Sequence, residues 1–351
     1  MARQLAQEQL QQAAYDALTN YFNAHLDEVL EIEILPPSHE PVGSLILEDG
    51  PNLGLPKKVL VLAFIHARRL FFASRTLDLP APRSGATPSP ETKALEATRV
   101  ILLFDPEHLT AANHRKRRFR SLQDEASRYQ HVRGELRFLD SILTSPLHRQ
   151  SKSPTLWGYR GFLMDYLLPI VHQRHLLSPG PQDAHFDMPE LVARELSAVC
   201  KSGERHPKNY YAWQYARELL DMACLRVREE PECWERMLKQ CVKTVKSWCC
   251  VHPSDISGWT FLAWLLQHAG VKDKADVVCE VVDYAVSVEL PNESLWIFIR
   301  TVLADGLAGL EQGRDIIGDL REIHRRRVRA GEASPFVERT SQTLVWLEKY
   351  E

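Results

Sequence analysis

Four residues able to do polar chemistry lie side by side in the stretch His206-Pro207-Lys208-Asn209-Tyr210-Tyr211-Ala212-Trp213-Gln214-Tyr215-Ala216-Arg217: Lys208, Asn209, Tyr210 and Tyr211. A lysine just ahead of a helix can contact a phosphate. It is equally what a solvated turn carries, and the positive end of a helix gives no structural reason to prefer it there. Asn209 suits the N-cap of a following helix, Pro207 suits a helix edge but not an interior, and Trp213 and Arg217 at i, i+4 share one face. A second lysine, Lys152, holds the same place five residues before Trp157 in Ser151-Lys152-Ser153-Pro154-Thr155-Leu156-Trp157-Gly158-Tyr159-Arg160.

Self-sufficient catalytic motifs are missing. The chain has no His-x-x-x-His pair with a nearby third ligand, no glycine-rich phosphate loop and no Gly-x-Ser-x-Gly elbow, so no metal site is expected. Seven cysteines, an odd number without a Cys-x-x-Cys pair, read as small buried hydrophobes in a reducing compartment. Two basic runs, His114-Arg115-Lys116-Arg117-Arg118-Phe119-Arg120 and His324-Arg325-Arg326-Arg327-Val328-Arg329, read as solvated helix faces, with a nuclear signal or nucleic-acid patch as the alternative. A net charge of −3 argues neither for nucleic acid nor for an anionic membrane as principal partner. The polar start and the lack of any run of about 18 apolar residues predict a non-membrane protein, cytoplasmic or nuclear.

The elements that must carry these residues are mostly helical. With 351 residues, 44% hydrophobic and 25% charged, the chain can fill a large core or an extended array. Apolar spacing predicts a helix over residues 5–26, and Lys57 to Ser74 reads as a helix apolar over most of its circumference. Between them, Glu31-Ile32-Glu33-Ile34-Leu35 and Gly43-Ser44-Leu45-Ile46-Leu47 are strand-like and could form a small hairpin. Leu77 to Pro90, with four prolines, reads as a loop. From about Glu91 onward, helical segments alternate with short breaks at Pro146, Pro154, Ser178 to Pro181, Pro207, Pro231, Pro253, Pro291 and Pro335. We therefore expect a non-repeat N-terminal segment over 1–90 and a repeat domain over 91–351.

Five imperfect copies of the opening stretch centre on Ala112, Trp157, Trp213, Trp259 and Trp296, separated by 45, 56, 46 and 37 residues by subtraction. Such a period fits a two-helix unit with variable loops. A helical hairpin cannot bury its apolar face alone, so stacked copies should bury it against each other, with the tryptophan as the wedge between repeats. Arg115 and Arg160 follow the tryptophan position by three residues, and Arg217 and Arg300 by four. Arg160, Arg217 and Arg300 are expected to pair with carboxylates or helix ends.

Pro207-Lys208-Asn209-Tyr210-Tyr211-Ala212-Trp213 resembles the Pro-Lys-Asn-Tyr-x-x-Trp signature of the protein prenyltransferase α subunits, and Ser151 to Arg160 is a looser match. Glu33-Ile34-Leu35-Pro36 and the helix ending Ala73-Ser74-Arg75 are similar to the prenyltransferase α subunit repeat-containing branch of that family. The resemblance implies an all-α fold, a right-handed α-α superhelix of helical hairpin repeats. It also implies a heterodimer with a β subunit that holds the catalytic zinc and most of the isoprenoid pocket, this chain binding no cofactor itself. The pair would transfer farnesyl or geranylgeranyl from its diphosphate to a cysteine near the C-terminus of a protein substrate. In that setting Lys208 and Lys152 are the expected cations on the departing diphosphate, Tyr210 a donor to it, and Asn209 and Tyr211 its near neighbours. Charge that builds on a leaving group rewards donors placed for the transition state.

Four positions depart from the signature: Pro154, Tyr211, Ala112 and Leu262. They bear on phosphate contact more than on scaffold. The alternative reading is accordingly an α-solenoid adaptor that keeps the repeat shape without the chemistry.

Overall fold

The computed structural model describes residues 2–39, 41, 43–76, 90–177 and 187–349. The expected loop at Leu77 to Pro90, apart from Pro90 itself, and the expected break at Ser178 to Pro181 lie outside the described residues. The fold is all-α with one small sheet, and it divides into two compact units, Met1–Ile170 and Val171–Glu351.

The first unit opens with α1 (Ala2–Ala24), strands β1 (Glu31–Leu35), β2 (Leu47–Asp49) and β3 (Asn52–Pro56), and α2 (Lys57–Thr76). It continues with α3 (Pro90–Phe104), α4 (Leu109–Ser121), α5 (Glu125–Thr144), α6 (His148–Ser151) and α7 (Pro154–Leu177), whose interior holds both Pro169 and the boundary between units. The N-terminal segment expected over 1–90 thus shares a unit with the first two repeats: α2 packs on α3, and β1 on α5.

The expected hairpin between residues 31–35 and 43–47 is corrected. The sheet order is β1-β3-β2, with β1 parallel to β3 from Glu31↔Asn52 to Leu35↔Pro56 and β2 antiparallel to β3. The strand that joins them was hidden because Asn52-Leu53-Gly54-Leu55-Pro56 carries three residue types that strands disfavour. Gly54 is there for space, since a Cβ would come within 3.0 Å of Leu47 Cβ and 3.1 Å of the Leu35 methyls. Helix α5 covers the other side of β1: Ser141 Oγ accepts from Leu30 N and Ser145 Oγ from Ile32 N, both at 2.8 Å. Edge amides that would otherwise invite another strand are thereby used.

The second unit holds α8 (Met188–Arg205), α9 (Tyr210–Arg226), α10 (Pro231–Val251), α11 (Ile256–His268), α12 (Val271–Ser287), α13 (Glu293–Ala304), α14 (Leu310–Arg329) and α15 (Pro335–Leu347). Local chemistry sets the starts. Asp187 and Glu190 form a reciprocal capping box on α8, while Pro231 and Pro335 sit at the beginnings of α10 and α15, where a missing amide costs nothing. Consecutive helices pair as hairpins, and the hairpins stack in two layers: α8, α10, α12 and α14 follow one another in one, α9, α11, α13 and α15 in the other. This is the helical-hairpin repeat expected from the sequence.

The five repeat centres take one structural register. Ala112, Trp157, Trp213, Trp259 and Trp296 are each the fourth residue of their helix, α4, α7, α9, α11 and α13. In the second unit each tryptophan reaches the next repeat's aromatic ring: Trp213 to Phe261 at 5.1 Å, Trp259 to Phe298 at 4.9 Å and Trp296 to Phe336 at 5.8 Å. Trp248 of α10 fills the gap beneath Trp213, so tightly that a Cβ on Gly258 would lie 2.6 Å from its ring.

Candidate functional site

The site is built on the residue four before each repeat centre: His108, Ser153, Asn209, Asp255 and Asn292. All five are the residues just ahead of their helices, and the side chains of the first four accept a hydrogen bond from the first turn. The cap fixes where the helix begins, and so where the tryptophan three residues further on is buried.

Two caps also tie one repeat to the one before. Ser153 Oγ donates to the Pro106 carbonyl at 3.2 Å, 47 residues earlier. Asp255, only 2% exposed, uses Oδ1 to cap α11, accepting from Ser257 N at 2.9 Å and Gly258 N at 3.0 Å, and Oδ2 to accept from Lys208 N at 2.6 Å. The sequence reading did not single out Asp255. Its signal is positional: a capping residue four before Trp259, in the register of Asn209 before Trp213.

Lys208 has a left-handed backbone, φ 60°, which costs a residue with a Cβ about 1–2 kcal/mol. Among the described residues the other non-glycine with positive φ is Glu289, which closes α12 in a common helix-ending geometry, with Leu290 N donating to Ala285 O at 3.0 Å. Lys208 ends no helix: α8 stops at Arg205 and its cap is His206. The turn also changes what Trp213 can bond. In three other copies the indole Nε1 donates to the carbonyl six residues earlier: Trp157 to Ser151 at 2.7 Å, Trp259 to Pro253 at 3.0 Å and Trp296 to Leu290 at 2.7 Å. Trp213 Nε1 is buried without a hydrogen-bond partner. An orphaned buried donor costs about 1–3 kcal/mol.

The predicted site residues fall into two groups. Lys208, Tyr210 and Tyr211 are exposed on one turn at the N-terminus of α9, the tyrosines 58% and 40% accessible with their rings 5.6 Å apart and nearly perpendicular. Asn209 is fully buried: Oδ1 caps Ala212 N at 3.4 Å and Nδ2 donates to Ser202 Oγ at 2.9 Å, so its amide serves the fold. Lys152 belongs to the first unit. It is half-buried at the end of α6 with φ −100° and ψ 18°, a right-handed counterpart of Lys208. Pro154 is the first residue of α7, where its fixed φ fits, and Leu262 is fully buried in place of an arginine.

The repeat arginines divide by unit. Arg115, wholly buried, donates through Nε to Glu135 at 2.6 Å and through Nη1 to Thr98 Oγ1 at 2.6 Å, and Tyr159 donates to the same carboxylate at 2.7 Å. Burial alone would raise the Glu135 carboxyl, yet the charge and hydrogen bonds of Arg115, with His131 and Tyr159, bring it down to about 2. Arg160 pairs with Asp140 at 2.7 Å. Arg217 and Arg300 lie instead over the rings of Phe261 and Trp346, at 5.5 and 5.2 Å. Burial lowers the Arg217 guanidinium, with Tyr210 countering it electrostatically. Of the three expected to pair with carboxylates or helix ends, Arg160 finds a carboxylate, while Arg217 and Arg300, with one more residue of spacing, lie over aromatic faces.

The first basic run is not a plain solvated face, whereas the second is largely exposed. In the first, Arg115 is buried, Arg118 pairs with Glu91 at 3.1 Å, and Lys116 and Arg120 lie over Phe162. In the second, Arg325 and Arg326 pair with Glu322 and Arg327 with Glu289 and Glu332. Among the described residues no cluster of three or more His, Cys, Asp or Glu is arranged to hold a metal ion, and no helix is long and apolar enough to cross a membrane.

A family model described as the ECM9 middle domain matches residues 181–285, the span that contains both the Lys208 turn and Asp255. No curated protein matches the chain.

Proposed function

We propose that this chain is the α-type subunit of a protein prenyltransferase heterodimer, its hairpins continuing as a right-handed α-α superhelix around a β subunit. The β subunit contributes the zinc and the isoprenoid pocket. The reaction moves a farnesyl or geranylgeranyl group from its diphosphate to a cysteine in the C-terminal region of a protein substrate. What carries the reading is the Pro207 to Trp213 turn, in which Asn209, Ala212 and Trp213 are buried while Lys208, Tyr210 and Tyr211 are exposed. As the carbon–oxygen bond breaks, charge accumulates on the departing diphosphate. The Lys208 ammonium donates to it, and the Tyr210 hydroxyl adds a neutral donor at the amino end of α9, where the helix dipole also favours an anion. Lys152 is the second cation of the same kind in this reading.

Strain at the turn supports a functional role. A left-handed lysine and an orphaned indole both oppose stability, and such features persist where the surroundings hold them for another purpose. The competing reading, an adaptor without chemistry, draws on Asn209, Arg115 and Arg160, polar signature residues that the fold itself uses. Co-expression with candidate β subunits, followed by transfer of labelled isoprenoid, separates the two. Prenyltransferase activity requires both a stable heterodimer and transfer; Lys208→Ala should then lower kcat about 10- to 100-fold, the worth of one charge-assisted hydrogen bond, without dissociating the heterodimer. A heterodimer that transfers to no substrate leaves the adaptor.

A further inference from the structure

We infer that Asp255 is a positioning residue: its carboxylate, reaching back from the next repeat, holds Lys208 in the left-handed conformation that presents the lysine side chain. The inference rests on the proposed role of Lys208 and adds the device that sets it.

A carboxylate is the side chain this position needs. Three amide protons converge on Asp255, two from its own helix on Oδ1 and one from Lys208 on Oδ2. Asparagine, as good a helix cap, has one oxygen; spending it on Ser257 N and Gly258 N would set its NH2 against the Lys208 N–H. Serine and threonine cap with a single oxygen as well. The Lys208 contact, at 2.6 Å, is a charge-assisted bond from a backbone amide to a buried carboxylate, strong enough to offset a left-handed residue. The rest of the turn agrees. Lys208 O accepts from Tyr210 N at 3.0 Å, and Asn209 is locked by its cap and by Ser202, so the residues either side of Lys208 leave its backbone little freedom.

The second repeat shows the same position with a different backbone. Lys152, also five before its tryptophan, has a right-handed backbone, its N–H donates to Gln150 O, and Trp157 Nε1 keeps its bond to the carbonyl six residues back. The Lys208 turn thus departs from the relaxed form in the copy where a carboxylate from the following repeat takes the lysine amide. Releasing that amide should let the turn relax toward the Lys152 form, redirecting the lysine side chain and giving the Trp213 indole an acceptor.

The test is Asp255→Asn, with Asp255→Thr as the second variant should the amide not fold. In the chain alone, the Lys208 amide should exchange with solvent at least tenfold faster while Ser257 and Gly258 stay protected, and the Trp213 indole proton should move downfield as it gains a bond. General loosening would instead speed exchange at all three amides. In the heterodimer, Asp255→Asn should lower kcat for isoprenoid transfer by a factor similar to Lys208→Ala with little change in KM, and the double variant should be no slower than Lys208→Ala, because Asp255 acts through Lys208. Unchanged Lys208 exchange, or losses that multiply in the double variant, overturns the positioning role and leaves the transferase reading intact. If Lys208→Ala itself leaves transfer unaltered, the role of Lys208 falls and that of Asp255 with it, a failure the exchange data separate from loss of the clamp.

Discussion

Replacing Lys208 with glycine or with alanine removes the same ammonium, but the two variants differ in what they do to a left-handed backbone. Glycine adopts φ 60° without a Cβ clash, whereas alanine keeps the clash. Lys208→Gly should therefore be more stable than Lys208→Ala by about 1 kcal/mol in urea unfolding, although both lose the proposed anion contact. Equal stabilities would mean that the backbone is not left-handed in solution. A second prediction at this scale concerns Glu135, whose carboxyl Arg115 holds at about 2 against an ordinary 4.5. A depressed carboxyl contributes stability that is complete above about pH 4.5 and is lost as the pH falls toward 2. Glu135→Gln strands a buried guanidinium and should cost about 3–5 kcal/mol near neutral pH, a deficit that narrows below pH 4.5 because wild type loses its own advantage there. A pH-independent deficit would remove the ion pair from the acid response.

Among the elements, the repeat is a cap, a tryptophan three residues inside the helix, and an aromatic ring on the next repeat. The indole bond varies between copies. Trp259→Phe leaves the Pro253 carbonyl without its donor, whereas Trp213→Phe deletes a donor that has no partner. The first should thus be the more destabilising, by about 1 kcal/mol beyond the common loss of ring area; the reverse order in matched thermal melts would contradict the orphaned Trp213 amine. This element-level plan was legible in sequence because Trp recurs at the period of a two-helix unit, with a Pro three to six residues ahead of it. Less legible was anything decided by a neighbour distant along the chain. The third strand, Asn52–Pro56, reads as a turn until Leu35 and Leu47 are seen on either side of Gly54. Arg115 looked like one charge in a basic run, since Glu135, 20 residues on, is what takes it into the core. Asp255 drew no notice, because its second oxygen answers to an amide 47 residues earlier.

At the scale of the molecule, the chain joins an N-terminal unit, in which a small sheet and two helices close onto the first repeats, to a second unit of stacked hairpins. Its polar signature residues separate into those the fold consumes, such as Asn209 and Arg160, and those it leaves outward on one turn, Lys208, Tyr210 and Tyr211. Chemistry from so few exposed groups needs a partner to supply the pocket, which is why the central claim is a claim about a heterodimer. The direct test is to co-express the chain with candidate β subunits, purify whatever complex forms, and measure transfer of labelled farnesyl or geranylgeranyl diphosphate to protein acceptors bearing C-terminal-region cysteines. The account predicts a stoichiometric heterodimer with thioether-linked label in the acceptor, and transfer reduced about 10- to 100-fold by Lys208→Ala. No complex with any β subunit, or a complex that transfers nothing, would contradict it.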